Sequence, residues 1–215
     1  MSKFARILLL SIPVVLAAGI ARATIPAVCV VDVNVPSGGP VSLVVLPDAS
    51  GPSFAEAMVF GGAVADGTIS FRLVQEATTI PIPNFPFEDV WLETGGVVFG
   101  WCDLPYPHRA DANSDASGKM EFALTPHGAG HAEEVLLYLN GSPAMDPFFN
   151  VLPPLPIRLN SPDLDADRKV NLSDVMLFAG DYFGAYAYRS DLHWDGRLNL
   201  SDIVKMAAGL GHDCP

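Results

Sequence analysis

Cysteine, basic residues and helical periodicity are scarce in this 215-residue chain, and each shortage excludes something. Only 12 Lys and Arg stand against 24 Asp and Glu, for a formal charge of −12, so phosphate backbones and anionic lipid surfaces are repelled. Binding to nucleic acid or to a membrane surface is not expected. The three cysteines, Cys29, Cys102 and Cys214, show no C-x-x-C spacing, which excludes the common cysteine-based metal sites. Their odd number leaves one thiol over if a disulfide forms. Both Cys29–Cys102 and Cys102–Cys214 are open, and the first, internal to the β-rich part of the chain, is favoured. After the N-terminus no apolar run is long enough to span a bilayer.

The N-terminus itself has one. Lys3 and Arg6 precede an apolar run from Ile7 to Ile20, followed by Ala21-Arg22-Ala23. This is the order of a secretory signal peptide, with cleavage expected after Ala23. Pro13 interrupts the run, which falls short of the roughly 20 residues of a comfortable span; a retained N-terminal anchor is the alternative. Cleavage would leave 215 − 23 = 192 residues and, with Lys3, Arg6 and Arg22 removed, a charge of −15. The expectation is an exported protein, secreted or at the cell surface, with one ordinary domain and a small appendage.

Residues 24–159 carry short apolar or alternating runs punctuated by Gly and Pro. Candidate strands are Ala27–Val33, Val41–Leu46, Thr68–Val74, Asp89–Leu92, Val97–Trp101, Met120–Thr125, Val135–Leu139 and Pro156–Leu159. Ile69, Phe71 and Leu73 alternate with Ser70 and Arg72, as in a half-buried strand. Ala65-Asp66-Gly67 and Asn140-Gly141 are turn signals. Many short strands with such turns predict a mostly β fold, a sandwich first and a small barrel second. The run Asp111-Ala112-Asn113-Ser114-Asp115-Ala116-Ser117-Gly118, followed by Lys119-Met120-Glu121-Phe122, resembles the turn and strand of bacterial Ig-like domains of the invasin group; Ile82-Pro83-Asn84-Phe85-Pro86 resembles a segment those domains carry earlier. The resemblance implies an Ig-like β-sandwich and no activity.

Pro153, Pro154, Pro156 and Pro162 then cluster, predicting a last strand and a stiff connector. Beyond them a repeat begins. Asp163–Asp174 reads DLDADRKVNLSD and Asp191–Asp202 reads DLHWDGRLNLSD, 28 residues apart with seven of twelve positions identical. Val175, Phe178, Ala179 and Tyr182 follow the first loop, and Ile203, Met206, Ala207 and Leu210 the second. Both sets have i, i+3, i+4, i+7 spacing, so each loop is expected to run into an amphipathic helix whose apolar stripe buries the other.

A calcium ion takes six to eight oxygens, and a twelve-residue loop supplies them from positions 1, 3, 5, 7, 9 and 12. In the first copy these are Asp163, Asp165, Asp167, the Lys169 carbonyl, Asn171 and Asp174; in the second, Asp191, His193, Asp195, the Arg197 carbonyl, Asn199 and Asp202. Position 8 is apolar in both, Val170 and Leu198, as expected where paired loops touch through a short β bridge. Position 6 wants glycine for a sharp turn; Gly196 complies and Arg168 does not. His193 is a poor ligand for a hard cation. Two unequal calcium sites are expected, the first tighter on carboxylate count.

Tandem loops, Asp at position 12, Asn at position 9 and a helix only on the exit side resemble the dockerin family over about 55 residues, 160–215. The resemblance implies calcium-dependent docking to a cohesin-like extracellular or cell-surface protein. By position, it implies contacts at Leu172 and Ser173 and at Leu200 and Ser201.

Other signals have plainer readings. Asn140-Gly141-Ser142 and the two Asn-Leu-Ser triplets are glycosylation sequons, the latter better explained by the loops. Asp111, Asn113 and Asp115 suit a β-turn. His127 and His131, separated by glycines, suit a loop. Trp91 and Trp101 suit core positions and Trp194 a partly exposed one, rather than a sugar-stacking row. Glu88, Asp89 and Glu93 suit solvated surface, and no nucleophile, base and orienting group fall together, so no catalytic site is expected. The alternatives are a carbohydrate-binding module and a small glycan-active enzyme.

Overall fold

The computed structural model describes residues 27–95, 98–102 and 107–215. The expected signal peptide, residues 1–23, lies outside them. Among the described residues the fold is mostly β with two α-helices: β1 (Val28–Asn34), β2 (Val41–Val44), β3 (Ala57–Val59), β4 (Val64–Ala65), β5 (Ile69–Gln75), β6 (Val90–Thr94), β7 (Phe99–Trp101), β8 (Lys119–Phe122), β9 (Gly128–Ala132), β10 (Val135–Leu139), β11 (Ser142–Pro143), β12 (Ile157–Asn160), α1 (Leu172–Tyr182) and α2 (Leu200–Gly209). Among the described residues no helix is long and apolar enough to cross a membrane.

The strands form sheets in the orders β1-β5-β8, β11-β10-β6 and β4-β3-β2-β12-β9-β7. One core joins them, because the period-two apolar positions of each sheet point inward. Ile69, Phe71 and Leu73 of β5 are buried there with Leu43 of β2, Leu92 of β6, Phe122 of β8 and Leu159 of β12. The Asn140-Gly141 turn between β10 and β11 has both residues at positive φ, 49° and 85°, as a tight hairpin demands.

Four strands were not expected: β3, β4, β9 and β11. The most instructive is β9, GAGHA, which has no β-branched residue. Gly130 has φ +83°, and a Cβ there would collide with the Val98 carbonyl. The strand is glycine-rich because its neighbour comes too close for a side chain, so the loop expected around His127 and His131 is a strand instead.

The cysteine pairing also differs from the favoured one. Cys102 bonds Cys214 across a Cα separation of 5.4 Å, and Cys29 is free and buried. Cys29 lies on β1 opposite Val74, in a different sheet from the strand that leads to Cys102. Trp194, expected to be partly exposed, is buried at 6%. Its ring meets Phe60 edge-on at 5.9 Å between centroids.

The strand that matters most for the C-terminal region is β12. It pairs with β2 in parallel and with β9 antiparallel, then leads through Ser161 and Pro162 into Asp163. Asn160, at its end, is fully buried and donates from Nδ2 to the carbonyls of Tyr188 at 2.8 Å and Asp191 at 3.2 Å. Gly130 N donates to the Asp163 carbonyl at 2.8 Å. The repeat is thus hydrogen-bonded directly to the sheet.

Candidate metal centre

Each loop of the repeat ends by starting a helix, and the same residues do both. Asn171 caps α1, its Oδ1 accepting from Ser173 N at 2.8 Å, while Asp174 Oδ2 accepts from Asn171 N at 2.8 Å. Asn199 and Asp202 do the same for α2, with Ser201 N and Asn199 N, both at 2.8 Å. This reciprocal arrangement satisfies backbone donors that a helix start otherwise leaves open. Positions 9 and 12 therefore have a capping role whether or not an ion is held.

In the first loop Asp163 is fully buried, and neither of its carboxylate oxygens has a well-formed hydrogen bond, the backbone N–H of Arg168 being the one donor that acts on it. Asp163, Asp165 and Asp174 bring one oxygen each within 4.8 Å of one another. Burial, and then the charges of Asp174, Asp167 and Asp165, push the Asp163 carboxyl up to about 7. Asp174 is also pushed up by burial, although its Oδ1 accepts from Leu164 N at 2.7 Å. An unpartnered buried carboxylate costs several kcal/mol unless a cation or proton neutralises it. The donor set is all oxygen, so it fits a hard divalent cation. Asp167 is less committed: it is exposed, and its Oδ1 accepts from Lys169 N at 2.9 Å. The Lys169 carbonyl accepts only a long 3.3 Å bond from Asn171 Nδ2.

The second loop is built differently. Asp191 is equally buried, but its Oδ2 accepts from Tyr186 OH at 2.8 Å and Gly196 N at 2.9 Å, and its Oδ1 from Asp195 N at 3.1 Å. Asp195 Oδ2 accepts from Asn199 Nδ2 at 2.8 Å, and its Oδ1 from Arg197 N at 3.0 Å. His193 packs its ring against Gly62 of the β3–β4 hairpin, and its Nδ1 is buried without a partner. Among the described residues the acids of this loop form no cluster like that of the first. The backbone at position 6 is left-handed in both loops, φ 74° at Arg168 and 80° at Gly196.

The expected bridge between Val170 and Leu198 is not formed. Val170 pairs instead with the C-terminal tail, donating to the His212 carbonyl at 2.8 Å and accepting from Gly211 N at 2.9 Å. Leu164 and Leu192, at position 2 of the loops, sit in one small core with Val170, Phe178 and Met206. The helical stripes bury each other only in part. Phe178 and Met206 are buried, but Ile203 and Leu210 stay exposed, and an apolar groove of about 290 Å³ runs between the helices. Leu172 and Leu200 project at 75% and 71% exposure, each followed four residues later by another exposed apolar residue, Met176 and Val204.

Elsewhere the Asp111–Asp115 segment is a turn: Asp115 Oδ1 accepts from Ser117 N and Lys119 N, and Asn113 Oδ1 from Phe87 N. Sequence reasoning missed Tyr186, the 211–214 tail and the Gly62 contact. Only Gly61-Gly62, a pair that admits a close neighbour, carried any signal of them. No protein-family model, no curated protein and no solved structure matches the chain.

Proposed function

We propose that this is an exported, non-catalytic docking protein. Its C-terminal repeat, residues 160–215, is of dockerin type, holds calcium chiefly in the first loop, and presents its helices to a cohesin-like partner. The β-rich part is an Ig-like sandwich that serves as spacer or second binding face. The observation that carries this reading is Asp163, whose two buried oxygens make no well-formed hydrogen bond, have only the Arg168 backbone N–H as a donor, and lie beside the oxygens of Asp165 and Asp174. Calcium, when bound, supplies the positive charge that these groups lack. Asp163, Asp165, Asp167, Asn171 and Asp174, with the Lys169 carbonyl, would hold it. The second set, Asp191, His193, Asp195, Asn199 and Asp202 with the Arg197 carbonyl, has most of its oxygens engaged within the protein and is the weaker site.

The exposed pairs Leu172 with Met176 and Leu200 with Val204 support a docking role, since each repeats the other at the 28-residue offset. Buried Trp101 and Trp194 count against a sugar-stacking row of tryptophans. Calorimetric titration of the mature chain with calcium tests the reading. A tight binding event that Asp163→Ala abolishes, together with calcium-dependent capture of a cohesin domain lost in a Leu172→Asp/Leu200→Asp variant, is the expected result. Absence of any calcium uptake overturns it.

A further inference from the structure

We infer that the C-terminal tail, residues 211–214, fastened to the β-rich body through Cys102–Cys214, is the positioning element of the first calcium loop. The inference rests on the calcium reading above.

The tail lies antiparallel to loop positions 6–8. Lys169 and Asp213 face each other, Val170 N donates to the His212 carbonyl at 2.8 Å, and Cys214 N donates to the Arg168 carbonyl at 3.0 Å. In such a pair the flanking residues make the bonds, so the N–H and C=O of the central residue turn the other way. The central residue is Lys169, whose carbonyl is the position 7 ligand. Its N–H is taken by Asp167 Oδ1, a group of the loop itself. The tail therefore aims the Lys169 carbonyl into the loop by occupying the polar groups on either side of it.

The tail also explains how Arg168 tolerates φ 74°, a conformation that disfavours every residue with a side chain. The second loop has glycine at the same position and needs no clasp; its Leu198 makes no counterpart of the Val170 pairing. Two anchors hold the tail to the body. One is the disulfide; the other is His212, whose Nδ1 is 2.7 Å from Asp48 Oδ2. Freed of either anchor, the tail would spend part of its time detached, Arg168 would relax, and only a fraction of chains would hold the binding-competent loop. Apparent affinity falls by that fraction.

The test is calcium titration by calorimetry of the mature full-length chain and three variants. Cys102→Ser/Cys214→Ser should weaken the tight site about tenfold or more, the factor expected from releasing a strained left-handed residue. Adding Arg168→Gly to that double variant should restore much of the loss, because glycine adopts this backbone freely. Asp48→Ala, which keeps the disulfide, should weaken the site by about two- to fivefold, in line with a partly exposed polar side-chain contact. Unchanged affinity in the double variant overturns the inference; should that variant not fold, unchanged affinity in Asp48→Ala overturns it. If the unaltered chain takes up no calcium, the calcium reading itself has failed, which is a separate outcome.

Discussion

The two loops share seven of twelve residues and the same capped helix start, yet they solve opposite problems. The first keeps a buried carboxylate with no well-formed hydrogen bond and only the Arg168 backbone N–H as a donor, uses an arginine where the backbone is left-handed, and relies on the tail for its shape. The second satisfies its equivalent carboxylate with Tyr186, Asp195 and Gly196, has glycine at the turn, and spends His193 and Trp194 on the β3–β4 hairpin. A duplicated motif need not mean a duplicated role. The same carboxylate placement thus gives two different environments, and the difference lies at position 1, where Asp163 lacks the bonds that Asp191 accepts.

The sharpest way to break the comparison is to remove position 1 from each loop and measure unfolding with and without calcium. Without calcium, Asp163→Ala should leave stability unchanged or raise it by about 1–2 kcal/mol, since it deletes an uncompensated buried charge. With calcium at about 100 times the dissociation constant it should lose the roughly 2.7 kcal/mol that binding confers. Asp191→Ala should cost about 1–3 kcal/mol in both conditions, because three bonds to a buried carboxylate disappear. Equal behaviour of the two variants in urea titrations would erase the asymmetry.

A smaller effect follows from pH. The Asp163 carboxyl is held at about 7 in the folded chain against an ordinary 3.8. The calcium-free folded state therefore binds more protons than the unfolded state across that window, and stability falls as pH rises through it. Asp174 and Asp202, also raised by burial, act in the same direction. The opposite class, Asp48 and Asp181, is depressed. Burial raises Asp48, but the His212 and Ser50 hydrogen bonds prevail and hold it at about 2; the hydrogen bond from Arg189 lowers Asp181. Their stabilisation is present above 3.8 and is lost only as pH falls below it. Thermal melts in EDTA should thus give a higher midpoint at pH 5 than at pH 8, a difference that calcium reduces and Asp163→Asn largely removes. A higher midpoint at pH 8 in EDTA would refute the sign.

The smallest effect concerns position 6. Arg168→Gly should stabilise the chain by about 0.5–1 kcal/mol, the left-handed strain relieved less the extra freedom gained by the unfolded state. Gly196→Ala should destabilise it by about 1 kcal/mol, since its Cβ meets the Phe60 ring at 3.0 Å as well as straining φ. Melting curves at saturating calcium measure both, and a loss of stability in Arg168→Gly would contradict the account.

Much of this architecture was legible in the sequence because its signals are local. The 28-residue repeat, both exit helices and the alternation in β5 rest on spacing alone, and spacing survives folding. What escaped depends on neighbours distant in the chain. The glycines of β9 record the approach of Val98 to Gly130 and of Phe99 to Gly128, not a turn. Cys29 and the strand that leads to Cys102 belong to different sheets, which no count of cysteines reveals. Val170 has the apolar side chain expected of a loop-to-loop bridge, but a tail forty residues on reaches it first. His193, at position 3 of the second loop, packs its ring against Gly62, a contact its place in the loop does not reveal.

The Cys102–Cys214 bond has one more consequence, for a chain under tension. It closes a covalent ring over a sequence separation of 112 residues, and both helices lie inside the ring. Force applied between the two ends of the chain passes from Cys102 to Cys214 through the sulfur bridge and bypasses everything between. About 380 Å of contour is thereby withheld from extension, at roughly 3.4 Å per residue. Force applied to the helices by a docked partner takes another route. It leaves the helices at both ends of their segment, through Asp163 into β12, a strand gripped on both sides within its sheet, and through the 211–214 tail into the sulfur bridge. The same bridge thus makes the repeat a slack segment toward its own chain ends and a loaded one toward any partner docked on its helices.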